Sequence, residues 1–176
     1  MKLFLSIIFL HLACLLGYSQ QMAITFDDAP LGDGQYFTGS KRTETLIKKL
    51  KKLNIPEAAF FSTTNHIDGA VKKQCILDYA KAGHVIANHS HTHQRISLLG
   101  TAGYIEDIRT AHQILSPLPN FKPWYRYPFL DEGRTLTSRD SIRTALNELG
   151  YTNGYVTIDN YDWYLSTCQK IDIFHN

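Results

Sequence analysis

The chain predicts an α/β fold built on a parallel sheet, either a (β/α) barrel or an open sheet, and three features of its sequence point there. Short apolar runs alternate with longer amphipathic ones from Ala23 to Ile158, which is how successive βα units look in sequence. Glycines follow two of the amphipathic segments, at Gly83 and Gly150, where a helix end suits a residue tolerant of the left-handed conformation. Polar side chains stand directly behind the apolar runs, at the carboxyl edge where parallel sheets carry their sites. No repeat, linker or low-complexity tract interrupts the series.

Ala23 to Phe26 reads as the first strand. Thr43 to Leu53 reads as a helix, with Leu46, Ile47, Leu50 and Leu53 on one face and Lys48, Lys49, Lys51 and Lys52 on a solvated opposite face. Ala58 to Ser62 is a second buried strand, and Val71 to Ala82 a helix that groups Val71, Cys75, Tyr79 and Ala82. His84 to Asn88 is the third strand. Thr101 to Leu115 is a helix with Tyr104, Ile105, Ile108, His112 and Leu115 inward, stopped by Ser116-Pro117-Leu118-Pro119. Trp124 to Tyr127 is a strand running into Pro128, Asp140 to Leu149 a helix, and Tyr155 to Ile158 a last strand.

Residues 1–21 stand apart. Lys2 precedes an apolar run from Leu3 to Leu16, and Gly17-Tyr18-Ser19-Gln20 follow, the layout of a secretory signal peptide cleaved after Ser19. The run falls short of the roughly 20 apolar residues of a bilayer span, so no stable membrane span is expected. Leu12-Ala13-Cys14 hints at lipoprotein processing, but His11 stands where an aliphatic residue belongs, which argues against a lipid anchor. The expected location is therefore secreted or periplasmic. Residues 22–176 are expected to form one domain, and 44% hydrophobic with 12% aromatic residues is ample for its core. A net charge of +2 without a basic stripe gives no reason to expect nucleic acid as a partner. Export permits a disulfide between Cys75 and Cys168.

His89-Ser90-His91-Thr92-His93 concentrates three imidazoles in five residues. A divalent metal is the natural user: on a helical turn His89 and His93, spaced i,i+4, project from one face. On an extended segment all three would point to one side and the pair would be undecided. The plain alternative is a set of solvated histidines on a polar loop. Ser90 excludes the H-E-x-x-H metalloprotease pattern, which needs Glu there. Other polar groups stand behind the remaining strands: Asp27-Asp28, Arg126 with Pro128-Phe129, and Asp159, Asp162 and Trp163. Singly, Asp27-Asp28 is a turn or helix cap and Arg126 a surface charge; four such clusters at four strand ends make a site. Adjacent aspartates allow a division of labour in which Asp28 completes a His-His-Asp metal site while Asp27 acts as general base, oriented by Arg126. Aromatic residues gather nearby, and Trp163 and Tyr127 are candidates to line a substrate-binding surface.

Together these clusters resemble the polysaccharide deacetylases, the NodB-homology or carbohydrate esterase family 4 proteins. Thr25-Phe26-Asp27-Asp28 is similar to the family's first motif, which makes Asp27 the catalytic base and Asp28 a metal ligand. His89-Ser90-His91-Thr92-His93 matches H-[S/T]-x-x-H, with His89 and His93 as ligands and His91 not. Arg126-Tyr127-Pro128-Phe129 resembles R-x-P-Y, which gives Arg126 the task of holding the base and the Phe129 N–H that of binding the oxyanion, with Phe in place of the usual Tyr. Asp159 to Trp163 resembles D-x-x-D-W, whose second Asp, here Asp162, tunes the catalytic acid histidine and whose Trp lines the groove. The resemblance runs from Ala23 to about Trp163 in the family's order, with Ala29 where Gly is usual.

The resemblance implies a distorted (β/α) barrel of the NodB-homology type and a secreted, metal-dependent deacetylase. Its substrate would be an acetylated polysaccharide or oligosaccharide, attacked at an N-acetyl amide or O-acetyl ester. Zinc is the default metal, with cobalt or nickel as substitutes. Ile173-Phe174-His175 looks like the fifth motif, L-x-H, which supplies the acid histidine, but stands much nearer Asp162 than in the family. His175 is the candidate acid; the expectation is nevertheless a chain truncated at its C-terminus, its true fifth motif beyond Asn176 and a sheet edge unpaired. The alternative is a metal- and carbohydrate-binding pseudoenzyme, or inactive fragment, that lacks the acid.

Overall fold

The structure, a computed structural model, describes residues 22–161 and Tyr164. Five strands, β1 (Thr25–Ala29), β2 (Ala59–Ser62), β3 (Val85–Asn88), β4 (Phe121–Tyr125) and β5 (Thr152–Asn153), form one sheet in chain order, every neighbour parallel. Helices α1 (Gly39–Lys52), α2 (Ala70–Lys81), α3 (Ile96–Leu115) and α4 (Leu136–Glu148) make the four crossovers, and 3₁₀ turns follow β2 (Thr64–His66) and β4 (Pro128–Leu130). Strictly sequential parallel strands are the wall of a (β/α) barrel, here five strands wide among the described residues. None of the described helices is long and apolar enough to cross a membrane.

Side chains of β2 divide the interior. Phe60 stacks on Phe26 and on Tyr79 of α2 (centroids 5.1 and 3.8 Å), in a core with Leu50, Ile76, Ile86 and Leu115. Phe61, one residue on, faces the other way with Ala59, Val85, Ala87 and Trp124, as the two-residue period of a strand requires. A third cluster, Tyr104, Ile108, Tyr125, Tyr127, Ile142, Leu146 and Tyr151, locks α3 and α4 to the far end of the sheet. Cys75 is buried in α2, whereas Cys168 lies outside the described residues.

Helix starts lie earlier than the apolar pattern implies, because polar caps open them. Thr38 accepts from Lys41 N at the start of α1, and Thr135 from Ser138 N at the start of α4. α3 begins at Ile96, but Gly100 (φ 68°, ψ 168°) breaks it, so the continuous part starts at Thr101. β4 is centred earlier than Trp124 to Tyr127, leaving Arg126 and Tyr127 beyond the strand. The expected last strand, Tyr155 to Ile158, is replaced by the two-residue β5. Pairing ends at Gly154, which donates N–H to Tyr125 O (2.7 Å), and the apolar residues after it, Tyr155 and Ile158, are exposed.

Ile108 is fully buried between the sheet and α4. Ile108→Ala is expected to cost about 2–5 kcal/mol, lowering the urea midpoint at unchanged slope.

Candidate metal centre and active site

On a regular strand Asp27 and Asp28 would face opposite sides of the sheet. Here the β1–β2 register shifts: Phe26 pairs with Phe60 but Ala29 with Ser62, so two residues of β1 oppose the single Phe61. Asp28 absorbs the extra residue with φ 60°, a bulge that turns both carboxylates toward the same edge. Asp28 Oδ1 accepts from Thr63 Oγ1 (3.1 Å) and lies 3.4 Å from His93 Nε2. Asp27 Oδ2 lies 3.8 Å from His89 Nε2.

The histidine segment leaves β3 as neither a helical turn nor a strand. Ser90 (φ 77°) and His93 (φ 57°) are left-handed, and this sharp loop, rather than an i,i+4 helical repeat, brings the two imidazoles together. Their ring centroids are 4.9 Å apart. Four consecutive amides of the loop are taken by side-chain oxygens: Ser90 N by Asn88 Oδ1 (2.7 Å), His91 N by Asp107 Oδ2 (2.7 Å), Thr92 N by Asp107 Oδ1 (3.0 Å) and His93 N by Ser90 Oγ (2.9 Å). His91 turns aside to Thr64 Oγ1 (2.8 Å).

His89 is almost wholly buried, and burial pushes its imidazole below the usual histidine range despite the neighbouring aspartates. Its Nδ1 lies 2.8 Å from Arg126 O, which only accepts, so Nδ1 carries the hydrogen and Nε2 presents a lone pair to the site. Arg126 is itself buried, and its side chain is held at two nitrogens: Nε donates to Gly154 O (2.8 Å), and one terminal nitrogen donates to Thr25 Oγ1 (2.8 Å) and Asp27 Oδ1 (2.5 Å). Its guanidinium also lies 3.8 Å over the Phe61 ring. Gly154 has to be glycine for this: a Cβ there would come within 2.5 Å of Phe61.

Asp28, His89 and His93 each offer one ligand atom, and these atoms lie within 4.8 Å of one another. The donor set fits a divalent cation: one carboxylate, one neutral imidazole tautomer with its lone pair aimed inward, and two carboxylates in the site against one guanidinium. Phe129 follows Pro128 in a left-handed conformation (φ 56°), its half-exposed ring 4.6 Å from His93 and capped by Arg95 at 4.0 Å. Tyr127 does not reach a groove: it is 3% exposed in the core, stacked near Tyr104 and edge-on to Tyr125, so its ring has no face for a sugar. Asp162, Trp163 and His175 lie outside the described residues, as do residues 1–21, the expected signal peptide. Sequence reasoning missed Asp107, Asn88 and Gly154; the readable sign of Asp107 was an acidic residue between Tyr104, Ile108 and Ala111 on the inward face of α3.

Known proteins share this chain's sequence pattern and its fold. The sequence model described as polysaccharide deacetylase matches residues 18–154. A peptidoglycan-N-acetylglucosamine deacetylase of Bacillus cereus is 29% identical over 111 residues, 61% of this chain and 35% of that protein. Two solved structures share the fold: a family 4 carbohydrate esterase from Streptomyces lividans in complex with acetate, TM-score 0.64 at 24% identity over 81% of this chain and 66% of the other, and the chitin deacetylase of the fungal pathogen Colletotrichum lindemuthianum, TM-score 0.62 at 23% identity over 81% and 57%. The chain thus spans about a third of that curated relative and less than two thirds of either structure. With most of its length matched and its α/β fold shared, the chain belongs to the polysaccharide deacetylase family.

Proposed function

We propose that this protein is a secreted or periplasmic, metal-dependent deacetylase that hydrolyses N-acetyl or O-acetyl groups on a glycan. The observation that carries the reading is the assignment of adjacent carboxylates to different partners: Asp28 stands among the ligand atoms of His89 and His93, while Asp27 is held by Arg126. The names of the relatives suggest peptidoglycan or chitin-like chains as substrates, and an acetylated xylan would present the same acetyl group.

Asp28, His89 and His93 would hold the cation, zinc by default and cobalt or nickel as substitutes, and Lewis acidity toward an acetyl carbonyl and toward water is the chemistry such a cation supplies. Asp27 is the general base. Its Oδ1 is occupied by Arg126, which leaves Oδ2, on the histidine side, to take the proton of the attacking water. The Phe129 N–H donates to the oxygen that gains charge as the tetrahedral centre forms, and the backbone kink at Phe129 fixes that donor before the substrate arrives. The leaving amine or alcohol needs a proton in turn; His175, tuned by Asp162, is the candidate donor, and Trp163 the candidate platform for the sugar.

Acetate release from acetylated chito-oligosaccharides, peptidoglycan glycan and acetylated xylan, measured with zinc or cobalt supplied, tests the reading directly. Asp28→Ala is expected to lose both metal uptake and acetate release. Asp27→Asn is expected to keep one metal per chain while its rate falls about 10²–10⁴-fold, the share of a positioned general base. A folded, metal-loaded chain that releases no acetate from any of the three would count against the enzyme.

A further inference from the structure

We propose that Asp107 is a positioning residue that presets the His89 and His93 pair, holding the loop between them in its strained form before any cation arrives. The inference rests on the metal-dependent reading above. Asp107 touches neither histidine ligand; it acts through the backbone of the two residues between Ser90 and His93. Both of its oxygens are engaged, Oδ2 by His91 N (2.7 Å) and Oδ1 by Thr92 N (3.0 Å) and Thr92 Oγ1 (2.6 Å).

The loop needs such an external hold. Ser90 and His93, on either side of the two clamped amides, are left-handed, a conformation that side chains with a Cβ avoid. Ser90, which takes the His93 amide, belongs to the loop itself, and Asn88, at the end of β3, holds only the first of the four amides, so the two between are left to Asp107. Asp107 belongs to α3, which Tyr104 and Ile108 fix in the core, and it ties His91 and Thr92 to a rigid element 15 residues beyond Thr92. Only a carboxylate of this length offers two acceptor oxygens and no donor. An amide in its place would set an NH₂ against a backbone N–H whichever way it turned. The expected consequence is a site whose ligand atoms stand within 4.8 Å of one another without a cation to draw them together.

The test measures zinc and cobalt affinity of the full chain by competition with a chromophoric chelator, together with the visible spectrum of the cobalt form. Asp107→Asn is expected to weaken binding about tenfold to hundredfold and to alter the cobalt spectrum at saturation. Thr92→Val, which removes one clamp contact and leaves Asp107 in place, should weaken binding less, and Thr92→Ser, which restores the hydroxyl, should bind as the wild type does. Thr92→Val also carries the test if Asp107→Asn does not fold. Ile142→Val loosens the core beside α3 without touching the loop, and should leave affinity unchanged. Wild-type affinity in folded Asp107→Asn or Thr92→Val, or an equal loss in Ile142→Val, overturns the presetting alone. A wild-type chain that takes up neither metal overturns the metal-dependent reading and the presetting with it.

Discussion

Two neighbouring residues of a β-strand cannot both look at one point, and the site depends on how this chain escapes that rule. The bulge between Phe26 and Ala29 spends one extra residue of β1 against Phe61 and places Asp28 in a left-handed conformation. From that shift follow the separate contacts of Asp27 with Arg126 and of Asp28 with His93 and Thr63. Without it, one carboxylate would face the helices.

Arg126 spreads that arrangement across the sheet. Its side chain joins β1, through Thr25 and Asp27, to Gly154 behind β5, and its carbonyl oxygen sets the tautomer of His89 behind β3. Strands far apart in the chain are thereby referred to one guanidinium. Lysine has no equivalent fork and could not serve Gly154 and Asp27 together.

Much of this was legible beforehand, and the misses share a cause. The βα alternation was readable because burial imposes periods of two and 3.6 on apolar residues, and Asp27-Asp28, His89, His93 and Arg126 were readable because chemistry concentrated polar groups at strand ends. What periodicity cannot report is backbone conformation set by side-chain oxygens. Thr38 and Thr135 moved helix starts, Asn88 and Asp107 shaped the histidine loop into neither of the two forms its spacing offered, and Gly154 ended β5 early by closing on Tyr125 and Phe61. Tyr127 misled because an aromatic beside a site looks the same in sequence whether it faces the substrate or the core.

Of the eight non-glycine residues with positive φ among those described, four, Asp28, Ser90, His93 and Phe129, stand at the site. At roughly 1 kcal/mol or more each, they withhold a sum comparable with the whole stability of a small domain, about 5–15 kcal/mol. An engineer who sought a hardier variant by replacing these residues with glycine would be trading geometry for robustness, since glycine relaxes the backbone and deletes the functional group in one change. Selection on such a chain has to find its tolerance to heat and mutation elsewhere, in the aromatic core and the helix surfaces, and a site of this kind sets a floor on how well packed the rest of the molecule must be.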